Sequence, residues 1–276
     1  MAGALKRGRF AGNEAPHYRI YLFPMMVAGV ILLFLSAPWS FQHKAHVALH
    51  GLCAQRPSHS FFLGVDRLPF DARMTGIYGG FAMTAVFLAW RGRYRAAALP
   101  SRWTLGLLAL FVGVMAIDGF NSTLVDLRLW HAYEPHNLLR LATGSLTGIA
   151  LAAVMCYMVA VTLWHRPDLA TSPVDGPREL GLLIVLQIPF AAAVASEAGL
   201  LYTPVSLLLV LSAAIVLTLL MLVVVVLIAR REGTYSAARQ IQGSASIALA
   251  LALVMMAVLG GGRFLFEHLT GAPPMT

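Results

Sequence analysis

Residues 205–231 read VSLLLVLSAAIVLTLLMLVVVVLIARR. From Val205 to Ala229 no side chain is ionisable, and Arg230 and Arg231 close the run. A helix needs about 20 apolar residues to cross about 30 Å of hydrocarbon, so this stretch reads as a membrane span ending in a basic loop. The same test picks out 20–39, 74–92, 103–125, 139–164, 180–202 and 244–266, which with 205–229 makes about seven spans. Over all 276 residues the chain is 59% hydrophobic and only 12% charged, and its mean hydropathy is +0.75. A soluble domain carries about a quarter charged residues, so the fold class is all-α, a polytopic transmembrane helix bundle. Residues 17–276 read as one transmembrane helical domain, preceded by a basic, mobile segment over 1–16. Lys6, Arg7 and Arg9 stand before the first span, but its apolar core is longer than the roughly 7–15 residues of a signal peptide. The span at 180–202 carries Gln187, Pro189, Ser196 and Glu197, and Pro189 is expected to kink it.

The net charge of +8 is spread between the apolar runs instead of being clustered on a soluble face, so it is a topology signal and gives no indication of nucleic acid. With the N-terminus inside, thirteen Lys and Arg fall on the inner side and seven on the outer side. Short cytoplasmic loops collect Lys and Arg. The expected setting is therefore a bacterial cytoplasmic membrane, N-terminus cytoplasmic and C-terminus outside. Trp39, Trp90, Trp103, Trp130 and Trp164 fall near the ends of the spans, as interfacial rings do. Cys53 and Cys156 are too few for a disulfide scaffold. The inner loops, including HRPDLATSPVDGPRE at 165–179, read as short, basic and otherwise bland.

The outer side receives the polar residues. Two segments, 40–73 and 126–137, are expected to form a cap over the bundle. Asp118, Asn121, Asp126, Asn137 and Arg140 fall at that face, and Glu197 and Arg263 at a similar depth in their own spans. Arg56 and Arg73 come from the cap segment itself. Ionisable groups in a bilayer cost a few kcal/mol, so they pair or line a cavity. One reading is structural ion pairs, such as Asp118 with Arg140 and Glu197 with Arg263. The other is a ligand site, in which Arg56 and Arg140 hold an anionic headgroup or phosphate.

Within the cap, HKAHVALHGLC at 43–53 sets His43, His46, His50 and Cys53 on roughly 80° of helical arc. A short amphipathic helix at the outer interface follows. His46 and His50, at i and i+4, have the spacing that grips one metal ion. His46, His50, Cys53 and Asp71 therefore form a candidate set for a divalent metal ion, with His59, Asp66 and Met74 nearby. The plain alternative is a polar helix face.

Two blocks of sequence resemble a known family. HGLCAQRPSHSFFLGVDRLPFDARMTGIYGG at 50–80 and DGFNSTLVDLRLWHAYEPHNLLRLATG at 118–144 are similar to the signature of an uncharacterised family of bacterial multi-pass membrane proteins. That signature has a Cys-His-Gln-Arg-Pro element and a Cys-Ala-Arg-Cys-Thr-Gly-Ile-Tyr element. Here Ala54 stands in place of the His, and Asp71 and Met74 in place of the paired Cys. The resemblance implies that a thiolate-rich site cannot form, and that it is either lost or shifted to His50, His59 and Asp71. Gly76, Gly79 and Gly80 are placed for close helix packing. The family carries no established activity. No phosphate-binding loop, G-x-S-x-G elbow or haem Cys-x-x-Cys-His occurs. Three readings of function remain: a polar metal- or anion-binding site at the outer face, a non-catalytic accessory subunit partnering other membrane subunits, or a transporter with Glu197 in its pathway. In all three the chain is partnered by the lipid bilayer.

Overall fold

A computed structural model describes residues 19–271, with side chains from residue 21 onward; the basic segment expected over 1–16 lies outside them. Its helices are α1 (Arg19–Ser36), α2 (Phe41–Leu49), α3 (Ala72–Trp90), α4 (Arg102–Asp126), α5 (Asn137–Leu163), α6 (Pro177–Val185), α7 (Ile188–Ala195), α8 (Tyr202–Ile228) and α9 (Ala238–Thr270). Two two-residue strands, β1 (Phe62–Leu63) and β2 (Asp66–Arg67), pair antiparallel between α2 and α3.

Each of the seven apolar segments forms helix, but not all meet the same standard. Among the described residues, five helical spans are long and apolar enough to cross a membrane: α4, α5, α6 with α7, α8 and α9. The apolar part of α1, Tyr21–Ser36, is shorter, and α3, which includes Arg73, is not among the five. Seven crossings are therefore not established. The 180–202 segment breaks at Leu186 and Gln187, with Pro189 in the first turn of α7. A proline lacks the N–H that would continue the ladder, so the kink expected at Pro189 becomes a division into two short helices.

The centre of the bundle is the seam between α3 and α5. Gly76 and Gly80 on α3 face Gly144 and Gly148 on α5. A Cβ at Gly80 would come to 2.5 Å of the Ser145 carbonyl oxygen, and one at Gly144 would run into the Arg73 carbonyl. Small residues let two backbones approach this closely and gain dispersion contact without side-chain entropy loss. Elsewhere α4, α8 and α9 turn large apolar side chains outward, for example Phe120 and Ile117 on α4, both 67% exposed. In a soluble protein such a belt would be a liability; around a membrane bundle it is the lipid-facing surface.

The cap continues the core. Leu49, Leu63, Leu68 and Phe70 are fully buried and share one apolar cluster with Leu141, Phe190 and Leu209 of the bundle. Gly64, at φ +66 in the hairpin turn, donates its N–H to the Glu197 carbonyl at 2.7 Å and so ties the hairpin to the end of α7. The opposite face is less bland than its composition suggests. Arg93 is 6% exposed; its guanidinium donates to the Ser172 carbonyl and meets Glu179 at 3.4 Å and Asp175 at 3.5 Å.

Candidate functional site at the cap face

Ser40 caps α2, accepting from His43 N–H at 3.2 Å, and the helix closes at Leu49. The helix expected over 43–53 therefore stops short of Cys53. The exposed interfacial face does not form either. His43 is exposed, whereas His46 is 7% and His50 1% exposed. His46 Nδ1 bonds to the Gln42 carbonyl of its own helix at 2.9 Å. Burial pulls His46 below the usual imidazole range, against that bond.

His50 is the hub of a buried network that links the cap to α9. Its Nδ1 meets Gln55 Oε1 and its Nε2 meets Glu267 Oε2, both at 3.1 Å, while Phe264 stacks on the ring at 4.0 Å. Arg263 completes the network: Nε donates to Glu267 Oε1 at 2.8 Å, Nη1 to the carbonyls of His50 (2.7 Å) and Cys53, and Nη2 to Ala54 at 2.9 Å. Gln55 occupies the left-handed region, φ +54, which is costly for a non-glycine residue. Three side-chain hydrogen bonds hold it there, the other two running from Nε2 to the carbonyls of His46 and Pro69, and its N–H donates to Cys53 Sγ at 3.4 Å.

Cys53 and Asp71 lie side by side and are hydrogen-bonded. Asp71 Oδ1 caps α3 by accepting from Met74 N–H at 2.8 Å, and Oδ2 accepts from the Cys53 thiol at 3.2 Å. Burial, with the Asp71 carboxylate beside it, pushes the Cys53 thiol up to about 12. Among the described residues no three His, Cys, Asp or Glu side chains are arranged to hold a metal ion. The four side chains thus go to separate partners: His46 to the Gln42 carbonyl, His50 to Gln55 and Glu267, and Cys53 to Asp71, which also caps α3.

The second cluster lies where α3, α4 and α5 meet the cap. Arg73, in the first turn of α3, donates Nη2 to Asp118 Oδ2 at 2.6 Å and to Ser122 Oγ at 3.2 Å. Tyr133 O–H donates to Asp118 Oδ1 at 2.9 Å. Asn121 fixes the same loop from both sides, donating to the Tyr133 carbonyl and accepting from Ala132 N–H, each at 2.8 Å. Burial and the bond to Asp118 both raise the Tyr133 phenol. Nearer the surface, Asp126 pairs with Arg56 at 2.5 Å and His59 at 3.5 Å. Burial first, and then the Arg140 cation, hold His59 below its ordinary value.

Arg140, one turn into α5, is 6% exposed and lies within Coulombic reach of Arg73, Asp118, Asp126 and Asp71. Among the described residues its one side-chain hydrogen bond runs from Nη1 to Asn137 Oδ1 at 2.8 Å, and Asn137 in turn donates to the Ser60 carbonyl at 3.3 Å. Among the described residues no carboxylate lies within 4.0 Å of the Arg140 guanidinium. Among the described residues the buried Nε atoms of Arg140 and Arg73 find no partner. Two expected pairs are thereby corrected. Asp118 pairs with Arg73 instead of Arg140, and Arg263 with Glu267 instead of Glu197. Glu197 is exposed in the turn after α7, outside any span, which gives it no buried pathway to line. Glu267 escaped the sequence reading, although its i, i+4 spacing from Arg263 was the available signal.

No curated protein and no solved structure matches the chain. Residues 53–154, which hold every member of the Arg140 cluster together with Cys53 and Asp71, match the family described as "Predicted membrane protein (DUF2085)". The protein is an integral, multi-pass membrane protein, and over that segment it is similar to an uncharacterised family of predicted membrane proteins.

Proposed function

We propose that the protein binds a small anionic group, a phosphate or a carboxylate, in the cap-face cluster, with Arg140 as the principal ligand. The observation that carries this is a buried guanidinium with no carboxylate partner and an unsatisfied Nε. An uncompensated buried charge is strongly destabilising, and a guanidinium fork matches the oxygens of phosphate or carboxylate in two parallel bonds. Arg73 Nε supplies a second unsatisfied donor, and Asn137 orients Arg140 from the same helix. The 40–73 and 126–137 segments that hold Arg56, His59 and Tyr133 close over the cluster and favour a small group. In the orientation that the Lys and Arg count favours, with the N-terminus cytoplasmic, the anion is taken from the outer side of a bacterial cytoplasmic membrane.

Thermal unfolding of delipidated, detergent-purified protein tests this. With phosphate raised against chloride at constant ionic strength, the wild-type Tm rises, as for any ligand that binds only the folded state, and that of Arg140→Gln does not. Equal phosphate shifts in both proteins, or none in the wild type, would overturn the reading.

A further inference from the structure

At the opposite face a cavity of about 170 Å³ opens between α3, α5 and α8, lined by Phe81, Ala85, Leu88, Tyr94, Met155 and Leu219 among others. Its walls are almost wholly apolar. A cavity of this kind does not retain water and takes a hydrocarbon guest.

Beside it stands a second cation without an anion. Tyr94, on the cavity wall, packs edge-on against Trp164 with ring centroids 6.0 Å apart, and Trp164 Nε1 donates to the Tyr94 carbonyl at 2.8 Å. The Arg95 guanidinium lies 4.4 Å over the Trp164 ring and donates Nη2 to the Ser236 carbonyl at 2.9 Å. Its Nε is buried with no partner, and among the described residues no carboxylate lies within 4.0 Å. Its neighbour Arg91 is half exposed and reaches Glu179 only at 3.9 Å. Trp90 and Trp103, 79% and 76% exposed, mark this level as the edge of the hydrocarbon.

We propose that this cavity and Arg95 form one site for an anionic phospholipid, one acyl chain in the cavity and the phosphodiester on Arg95, with Arg91 adding charge at the mouth. An apolar slot and an unpaired guanidinium on either side of one aromatic pair match the two ends of such a molecule, and basic pockets between spans recognise anionic headgroups. A zwitterionic lipid fills the slot equally well but offers its own cation to Arg95.

Native mass spectrometry of the full chain in detergent, with equal amounts of phosphatidylglycerol and phosphatidylcholine of matched chains, tests both halves. The wild type is expected to retain the anionic lipid about fivefold over the zwitterionic one, the scale of one arginine at a membrane surface. Arg95→Gln brings the ratio near one, Arg95→Lys keeps it, and Ala85→Phe, which fills the slot, lowers retention of both lipids. A wild type without preference, or an Arg95→Gln variant that keeps it, overturns the headgroup assignment. An Ala85→Phe variant that retains lipid like the wild type overturns the cavity assignment.

Discussion

Two charged clusters sit at the same face of this bundle, each around a buried hub, His50 in one and Arg140 in the other, and they differ in completeness. In the one around His50, no buried side-chain nitrogen or oxygen lacks a partner among the described residues: Arg263 donates to four acceptors, Glu267 receives His50 and Arg263, and the Gln55 side-chain amide bonds to His50 and to the carbonyls of His46 and Pro69. In the one around Arg140, two buried guanidinium nitrogens have none. Burial alone therefore does not separate a structural network from a binding site; satisfaction does. A complete network in a low dielectric fixes one arrangement of the chain, and here it latches the end of α9 to the cap. An incomplete one leaves donors that a ligand can use.

The sharpest way to break this contrast is to truncate each cluster. Glu267→Ala leaves Arg263 and His50 buried without their anion, and a loss of about 3–5 kcal/mol is expected in detergent unfolding. Arg140→Met removes a charge that has no carboxylate in contact, so stability is expected to hold or to rise, by up to about 4 kcal/mol. Equal losses would erase the distinction. Gly144→Ala comes next in size. Its Cβ meets the Arg73 carbonyl, so α3 must shift against α5, at about 1–3 kcal/mol. Because that shift moves Arg73 relative to Arg140, phosphate stabilisation should weaken with it while the His50 network stays intact.

The smallest effect is in pH. His46 and His59 both have folded values below the usual 6.5, chiefly through burial. The unfolded chain then takes up these protons first, so stability is complete above about 6.5 and falls as the pH drops below it. Tm measured from pH 8 to 5 should decline on the acid side, and less steeply in His59→Gln. A Tm that rises on acidification would contradict the sign.

Much of the fold was written in the sequence because hydrocarbon thickness sets a length that apolar runs such as 205–229 reveal directly. The glycines of α3 announced close packing for a similar reason: only a missing Cβ permits it. Which charge meets which was not legible. Spans apolar on every side carry no periodicity to fix their rotation, so Asp118 could be placed at the right face without showing that Arg73 would reach it first. The histidine arc misled because 100° per residue holds only while the helix lasts. α2 ends at Leu49, and His50, its C-cap, meets Glu267 and Phe264 of α9, while the left-handed Gln55 bends the chain beyond it. Asp71 was read as a ligand replacing a family cysteine; its place as the cap of α3 depends on where that helix starts.

Calorimetric titration of inorganic phosphate into delipidated protein tests the central claim most directly, with the wild type beside Arg140→Gln and Arg56→Gln. Saturable binding that Arg140→Gln abolishes and Arg56→Gln, half exposed and paired with Asp126, only weakens is the expected result. Binding that survives in Arg140→Gln, or is absent from the wild type, would make the Arg140 cluster as structural as the His50 latch.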